Sequence, residues 1–146
     1  MRDSSRSFAI RIGVTTRACV LGVAITLPGC ALLGNSGSST AETATLDAVA
    51  PSTETGTATL TDTGTGTTQV AITTAGGDDT GVQSAVMRVG VCGSNGDVFA
   101  VLNNVQARAS ITTLAYDLAS LTGGQYSIEV HSSTDVNTVV ACGVVP

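Results

Sequence analysis

The chain has 146 residues and a formal net charge of −5, with six basic residues, all arginine, against eleven acidic ones. Four of the arginines lie within the first seventeen residues, so the rest of the chain keeps only Arg88 and Arg108. An acidic chain with two dispersed arginines offers no surface that tracks phosphates, which argues against nucleic-acid binding and against attraction to anionic lipid head groups.

The N-terminal 29 residues have the organisation of a cleaved export signal. A stretch with four arginines and one acidic residue precedes an apolar run at residues 18–27, which has the length of a signal-peptide core and is too short to span a bilayer. The residues Leu27-Pro28-Gly29-Cys30 follow, and they resemble the bacterial lipobox. That resemblance implies cleavage after Gly29 and diacylglycerol on the sulfur of Cys30. The alternative is an ordinary signal peptide in which Cys30 has no role.

Lipidation of Cys30 would anchor the mature chain to a membrane. Cleavage after Gly29 leaves 146 − 29 = 117 residues with a net charge of 2 − 10 = −8. Two or three acyl chains hold a protein durably on a bilayer, so we expect a location in the cell envelope outside the cytoplasm. Because Ala31 rather than Asp follows Cys30, such an anchor is compatible with the outer membrane of a double-membrane bacterium.

The mature chain divides into a linker and one β-domain. Residues 30–55 are rich in Ser, Thr, Gly and Ala without a sustained hydrophobic period, which predicts a flexible linker. In residues 56–146, short alternating segments are separated by Gly-rich turns, which predicts an antiparallel sandwich or barrel, an all-β class. The predicted strands are 57–61, 68–73, 82–91, 98–102, 111–118, 125–131 and 138–145, with one helical turn at 118–121.

Cys92 and Cys142 are the cysteines that remain after Cys19 leaves with the signal and Cys30 carries the lipid. In an exported, oxidising setting this pair predicts a disulfide, which would close a loop of about 50 residues and stabilise the domain by about 4 kcal/mol. Two free buried thiols or a pair of metal ligands are the alternatives. Cysteine metal ligands usually come in CxxC-type spacing, which is absent from this chain.

Three segments of the predicted domain carry a family resemblance. They are the hairpin at residues 58–72, the strand Ile128-Glu129-Val130-His131 followed by Asp135, and the ending Ala-Cys-Gly-Val-Val at residues 141–145. These segments resemble a copper/zinc superoxide dismutase domain, and residues 118–131 are also similar to chordin-type (CHRD) repeats. The resemblance implies an eight-stranded Greek-key β-barrel, a disulfide from Cys142 to Cys92, and a copper site of clustered histidines beside a zinc site.

Most of the histidines that this family uses are absent. His131 falls on the strand position of one copper ligand, but Val86 and Arg88 replace the His-x-His pair, and the chain has no other histidine. Copper that cycles between two oxidation states needs several imidazoles. We therefore expect no metal site, no cofactor and no catalytic residue, with His131 solvated on a polar strand face. A residual surface metal or proton site at His131 is the alternative.

Two Gly-flanked segments contain further polar side chains. Asp78 and Asp79 carry carboxylates of the type that binds calcium, but a turn explains them more simply, and residues 93–97 are also predicted as a turn.

The sequence as a whole predicts a membrane-anchored, non-catalytic β-domain that acts as an interaction or structural module of the cell envelope, with an unidentified envelope protein as its partner. The alternative is a cryptic copper-binding protein or a superoxide dismutase-type antioxidant enzyme.

Overall fold

The computed structural model describes residues 39–77 and 80–146, which form eight strands and one short helix. The elements are β1 (Ala41–Ala48), β2 (Thr55–Asp62), β3 (Thr68–Ala75), β4 (Gln83–Val89), β5 (Val98–Val105), β6 (Ala109–Leu114), α1 (Leu118–Leu121), β7 (Tyr126–His131) and β8 (Val139–Val144). Each strand pairs antiparallel with its neighbours in one sheet of order β5-β4-β7-β8-β1-β2-β3-β6. The all-β prediction is therefore confirmed.

The sheet curls into a nearly closed barrel, because its two edge strands β5 and β6 meet. The backbone N–H of Asn103 on β5 donates to Thr112 Oγ1 on β6 at 2.8 Å. The side-chain amide of the same residue donates to the carbonyl of Ile111 at 2.6 Å. One asparagine thus links the two edges.

Alternation along the strands separates the core from the outer surface. On β3, Val70 and Ile72 point inward while Gln69 and Thr73 point outward, as the period-2 pattern predicts. The turn before β3 is formed where the sequence places glycines, and Gly64 and Gly66 have φ values of 77° and 71° that favour glycine. The predicted hairpin is confirmed.

The interior of the barrel is filled by aliphatic side chains. The largest fully buried apolar ones are Leu46, Leu60, Ile72, Met87, Leu121 and Ile128. Phe99 packs against both tyrosines of the described region, with ring centroids 4.8 Å from Tyr116 and 4.6 Å from Tyr126. Burial of each such side chain stabilises the fold by about 1.5–3 kcal/mol. The aliphatic side chains therefore provide most of the core, which has no tryptophan and few aromatic rings.

Strand β1 corrects the predicted linker. Residues 30–55 are predicted as flexible, but Ala41–Ala48 form a strand between β2 and β8, with Thr43 opposite Thr59 and Asp47 opposite Cys142. Ala44 and Leu46 are its inward contacts with the core. The predicted signal (1–29), Cys30 and the rest of the linker up to residue 38 lie outside the described residues. In the described part of the chain, no helix is long and apolar enough to cross a membrane.

Candidate functional site

The outer face of β7 is buried, contrary to the prediction of a solvated face. Ile128 and Val130 point into the barrel, and Ser127, Glu129 and His131 alternate with them. The three polar residues are only 1 %, 6 % and 6 % exposed. The expectation that His131 is solvated is therefore wrong.

A pocket of about 280 Å³ lies over this face. Its walls come from separate parts of the chain: β4 and β7, the loop at residues 90–97 between β4 and β5 (the disulfide loop), and the loop at residues 132–138. Side chains that line it include Arg88, Asn95, Glu129, His131, Asn137 and Val139. These loops are what remove the polar face of β7 from solvent.

An ion pair between Arg88 and Glu129 crosses the floor of the pocket. Arg88 Nε donates to Glu129 Oε2 at 2.7 Å, and the carboxylate side chain is 8 % exposed while that of Arg88 is 27 % exposed. Arg88 Nη1 also donates to the carbonyl of Gly96 in the disulfide loop at 3.0 Å. A cationic partner offsets the cost of burying this carboxylate, and Arg88 provides it.

His131 faces the same carboxylate oxygen. Its Nε2 is 3.5 Å from Glu129 Oε2, longer than an ordinary hydrogen bond. Both ring nitrogens are buried and have no hydrogen-bond partner among the residues that the structure describes. Buried polar atoms are rarely left without a partner, so this imidazole is the most distinctive group in the pocket.

The disulfide between Cys92 and Cys142 is confirmed. The two Cα atoms are 5.9 Å apart, and the bond joins the disulfide loop to β8. The alternatives of two free thiols or two metal ligands are therefore wrong. On β8, Cys142 lies opposite Glu129 in the register with β7, so the bond fixes the loop beside the ion pair.

The loop at residues 132–138 is ordered by Asp135. Its carboxylate accepts hydrogen bonds from the hydroxyl of Thr138 at 2.7 Å and from the backbone of Asn137 at 3.0 Å. These bonds, led by the Thr138 hydroxyl, hold the pKa of Asp135 below its ordinary value. The loop therefore has its own local support where it borders the pocket.

The donor atoms around the pocket do not fit a copper/zinc centre. Val86 and Arg88 lie beside β7, opposite Glu129 and Ser127 in the register, and neither offers a lone pair to a metal. The pocket has one imidazole, and the carboxylate nearest to it is already bound to a guanidinium. Among the residues that the structure describes, no group of three or more His, Cys, Asp or Glu side chains is placed to hold an ion. Redox copper requires a larger set of imidazoles.

A second buried carboxylate, which no sequence pattern predicts, lies outside this pocket. Glu54, in the connection between β1 and β2, is fully buried and accepts a hydrogen bond from the side-chain amide of Gln83 at 2.8 Å. Its other oxygen, Oε1, has no hydrogen-bond partner in the described part of the chain. Asp78 and Asp79, the predicted turn with carboxylates, lie outside the described residues.

No family model matches this chain, and no curated protein or solved structure matches it either.

Proposed function

We propose that this chain is a bacterial-type lipoprotein whose β-domain is a non-catalytic relative of the copper/zinc superoxide dismutases, held at a membrane through Cys30 as an interaction or structural module of the cell envelope. The observation that carries the proposal is the ion pair of Arg88 and Glu129. It places a fixed positive charge next to the only histidine of the chain.

The strand order supports this family assignment. The chain leaves β6 at one end of the sheet order and returns so that β7 pairs with β4, and a long return of this kind is one element of a Greek key. The disulfide from the Ala-Cys-Gly ending to the loop after β4 is the one that the resemblance implies. A shared fold leaves function open, and the pocket chemistry favours a domain that has kept the barrel and lost the metals.

A copper-binding or antioxidant protein is the second candidate. The observation that favours it is His131, whose two ring nitrogens are buried beside an open pocket and have no hydrogen-bond partner within residues 39–77 and 80–146. Such nitrogens are strong copper ligands. This candidate requires Arg88 to leave Glu129, or further ligands to come from a second chain.

Metal analysis separates the two candidates. The exported protein is purified, incubated with one equivalent of Cu²⁺, desalted, and measured for copper content and superoxide dismutation, with the variant His131→Gln as control. We expect no stoichiometric copper and equal, background activity in both proteins. Stoichiometric copper with dismutation in the wild type, lost in His131→Gln, would establish the second candidate instead.

The anchor is tested separately. Cys30→Ala is expected to abolish lipid labelling and to release or mislocalise the chain, because the lipid is the proposed attachment to the bilayer. The measurement is metabolic labelling with a fatty acid together with membrane fractionation. Cys19→Ala is the matched control, since this cysteine leaves with the signal and its loss should change neither readout. Wild-type fractionation of Cys30→Ala would mean that protein contacts hold the chain.

A further inference from the structure

We propose that Arg88 is an internal replacement for a metal ion: its guanidinium neutralises Glu129, ties the disulfide loop to the barrel, and keeps added metal ions away from His131. The inference rests on the proposed function, since it assumes that the pocket has no resident metal. The family resemblance identifies Arg88 only as the replacement of a lost copper ligand, and the inference gives this residue a role of its own.

The geometry gives Arg88 contacts on two sides. One nitrogen, Nε, binds Glu129 Oε2 on β7, and another, Nη1, binds the carbonyl of Gly96. A planar guanidinium can make both bonds at once because its donors have fixed, divergent directions. Arg88 therefore joins β4, β7 and the disulfide loop in the way that a coordinated cation joins its ligands.

The backbone around Gly96 leaves the loop little freedom at this contact. A Cβ atom on Gly96 would lie 1.8 Å from the carbonyl oxygen of Val89. The carbonyl of Asp97 also accepts a hydrogen bond from the backbone N–H of Val89 at 3.0 Å. The loop thus approaches β4 closely where Arg88 holds it, and the disulfide at Cys92 fixes its other part.

Removing the guanidinium would expose two metal ligands. Glu129 Oε2 would lose its cation and would remain 3.5 Å from the imidazole of His131, whose nitrogens have no hydrogen-bond partner among the described residues. A carboxylate and an imidazole side by side, in a pocket of about 280 Å³, are two of the ligand types that Zn²⁺ takes in proteins, and water can complete its coordination. Arg88 blocks this site in two ways, since it occupies the oxygen and repels a second cation.

The test compares Arg88→Ala with wild type, using the protein purified as exported, in detergent. Amide hydrogen exchange of residues 90–97 reports loop attachment. The imidazole NMR signals report Zn²⁺ binding, and they need no assignment because His131 is the only histidine. Arg108→Ala is the matched control, because Arg108 also donates to glycine carbonyls, those of Gly76 and Gly77, and does not line the pocket of Glu129 and His131.

We expect Arg88→Ala to speed exchange in the loop by about 10- to 100-fold, as the loss of a charge-assisted hydrogen bond implies. We expect Zn²⁺ to shift the imidazole signals of this variant at a concentration at least about tenfold lower than in wild type, and to restore part of the loop protection. Arg108→Ala should match wild type in both readouts. Arg88→Lys keeps the positive charge but cannot reach both Glu129 and the carbonyl of Gly96. It should therefore still weaken Zn²⁺ binding while hydrogen exchange in the loop becomes faster. This variant provides the test if Arg88→Ala does not fold.

Unchanged loop exchange in both Arg88 variants would overturn the inference and leave the proposed function intact. Equal Zn²⁺ affinity at His131 in wild type and Arg88→Ala would also overturn it. If the wild-type protein bound one equivalent of copper at His131 and dismutated superoxide, both the proposed function and the inference would be contradicted.

Discussion

Reduction of the bond between Cys92 and Cys142 is expected to lower the free energy of unfolding by about 4 kcal/mol, because the bond restricts the unfolded chain over a sequence separation of 50 residues. A typical domain has roughly 5–15 kcal/mol in total, so the bond accounts for a sizeable share of the stability of this small barrel. For a domain of about 100 residues the midpoint of thermal unfolding should fall by roughly 10–30 °C. Melting of oxidised protein and of protein reduced with a phosphine measures the difference.

The double variant Cys92→Ala/Cys142→Ala is the control. It should melt like the reduced wild type and should not respond to the phosphine. Cys92 is exposed, so its substitution removes little packing, whereas Cys142 is 5 % exposed and its substitution also removes the buried contacts of one sulfur atom. Two free thiols in unreduced, freshly exported protein, or a midpoint that reduction does not change, would contradict the prediction.

The hairpin and most strands were predictable because their signals are local. Val70 and Ile72 alternate with polar residues, and Gly64 and Gly66 supply the positive φ angles of the turn between β2 and β3. The disulfide was predictable for a different reason, since the proposed export signal and lipidation would leave two cysteines without another role. The hairpin could be predicted from a few neighbouring residues, and the disulfide could be predicted from the number of cysteines.

Strand β1 was missed because its signal is not local. Only Ala44 and Leu46 face the core, within a sequence rich in Thr and Ala. Such a segment becomes a strand because β2 and β8 offer free hydrogen-bonding edges on both of its sides. The predicted strand 111–118 ends early, at Leu114, whereas the predicted helical turn at 118–121 is confirmed as α1.

The sequence predicted no pocket here, and it misjudged the environment of His131. The resemblance placed Val86 and Arg88 beside the strand of His131, and the register of β4 with β7 puts them there. It did not reveal that loops far apart in sequence bury Glu129 and His131. A signal was present in the charges: Arg88 and Glu129 are opposite charges on neighbouring strands, where cross-strand pairs form.

Two histidines placed on β4 are expected to create a metal site that the wild-type chain lacks. In the variant Val86→His/Arg88→His, the new side chains stand on the outer face of β4, next to β7. Val86 is the register partner of Glu129, so it is a diagonal neighbour of His131, at a Cα separation of about 7–8 Å that lets two imidazoles share one ion. The substitution of Arg88 also removes the cation that occupies Glu129 Oε2.

The expected result is one Cu²⁺ or Zn²⁺ per chain with a dissociation constant of about 1 µM or lower, equivalent to about 8 kcal/mol. Calorimetric titration measures the affinity, and the electron paramagnetic resonance spectrum of Cu²⁺ reports the number of nitrogen ligands. Three are expected, from positions 86, 88 and 131. Each single variant should bind more weakly, because Val86→His alone leaves Arg88 in the pocket and Arg88→His alone supplies one imidazole fewer.

The matched control is Val86→His/Arg88→His/His131→Gln, which keeps both new histidines and removes the native one. Its affinity should fall by at least about tenfold, the loss of 1.4 kcal/mol or more that a missing ligand implies. Tight binding that survives this third change would mean that the two new histidines act alone and that His131 points elsewhere. Failure of the double variant to bind metal, with its disulfide formed and its barrel folded, would contradict the placement of residues 86 and 88 on the family's ligand positions and, with it, the proposed relationship to the copper/zinc superoxide dismutases.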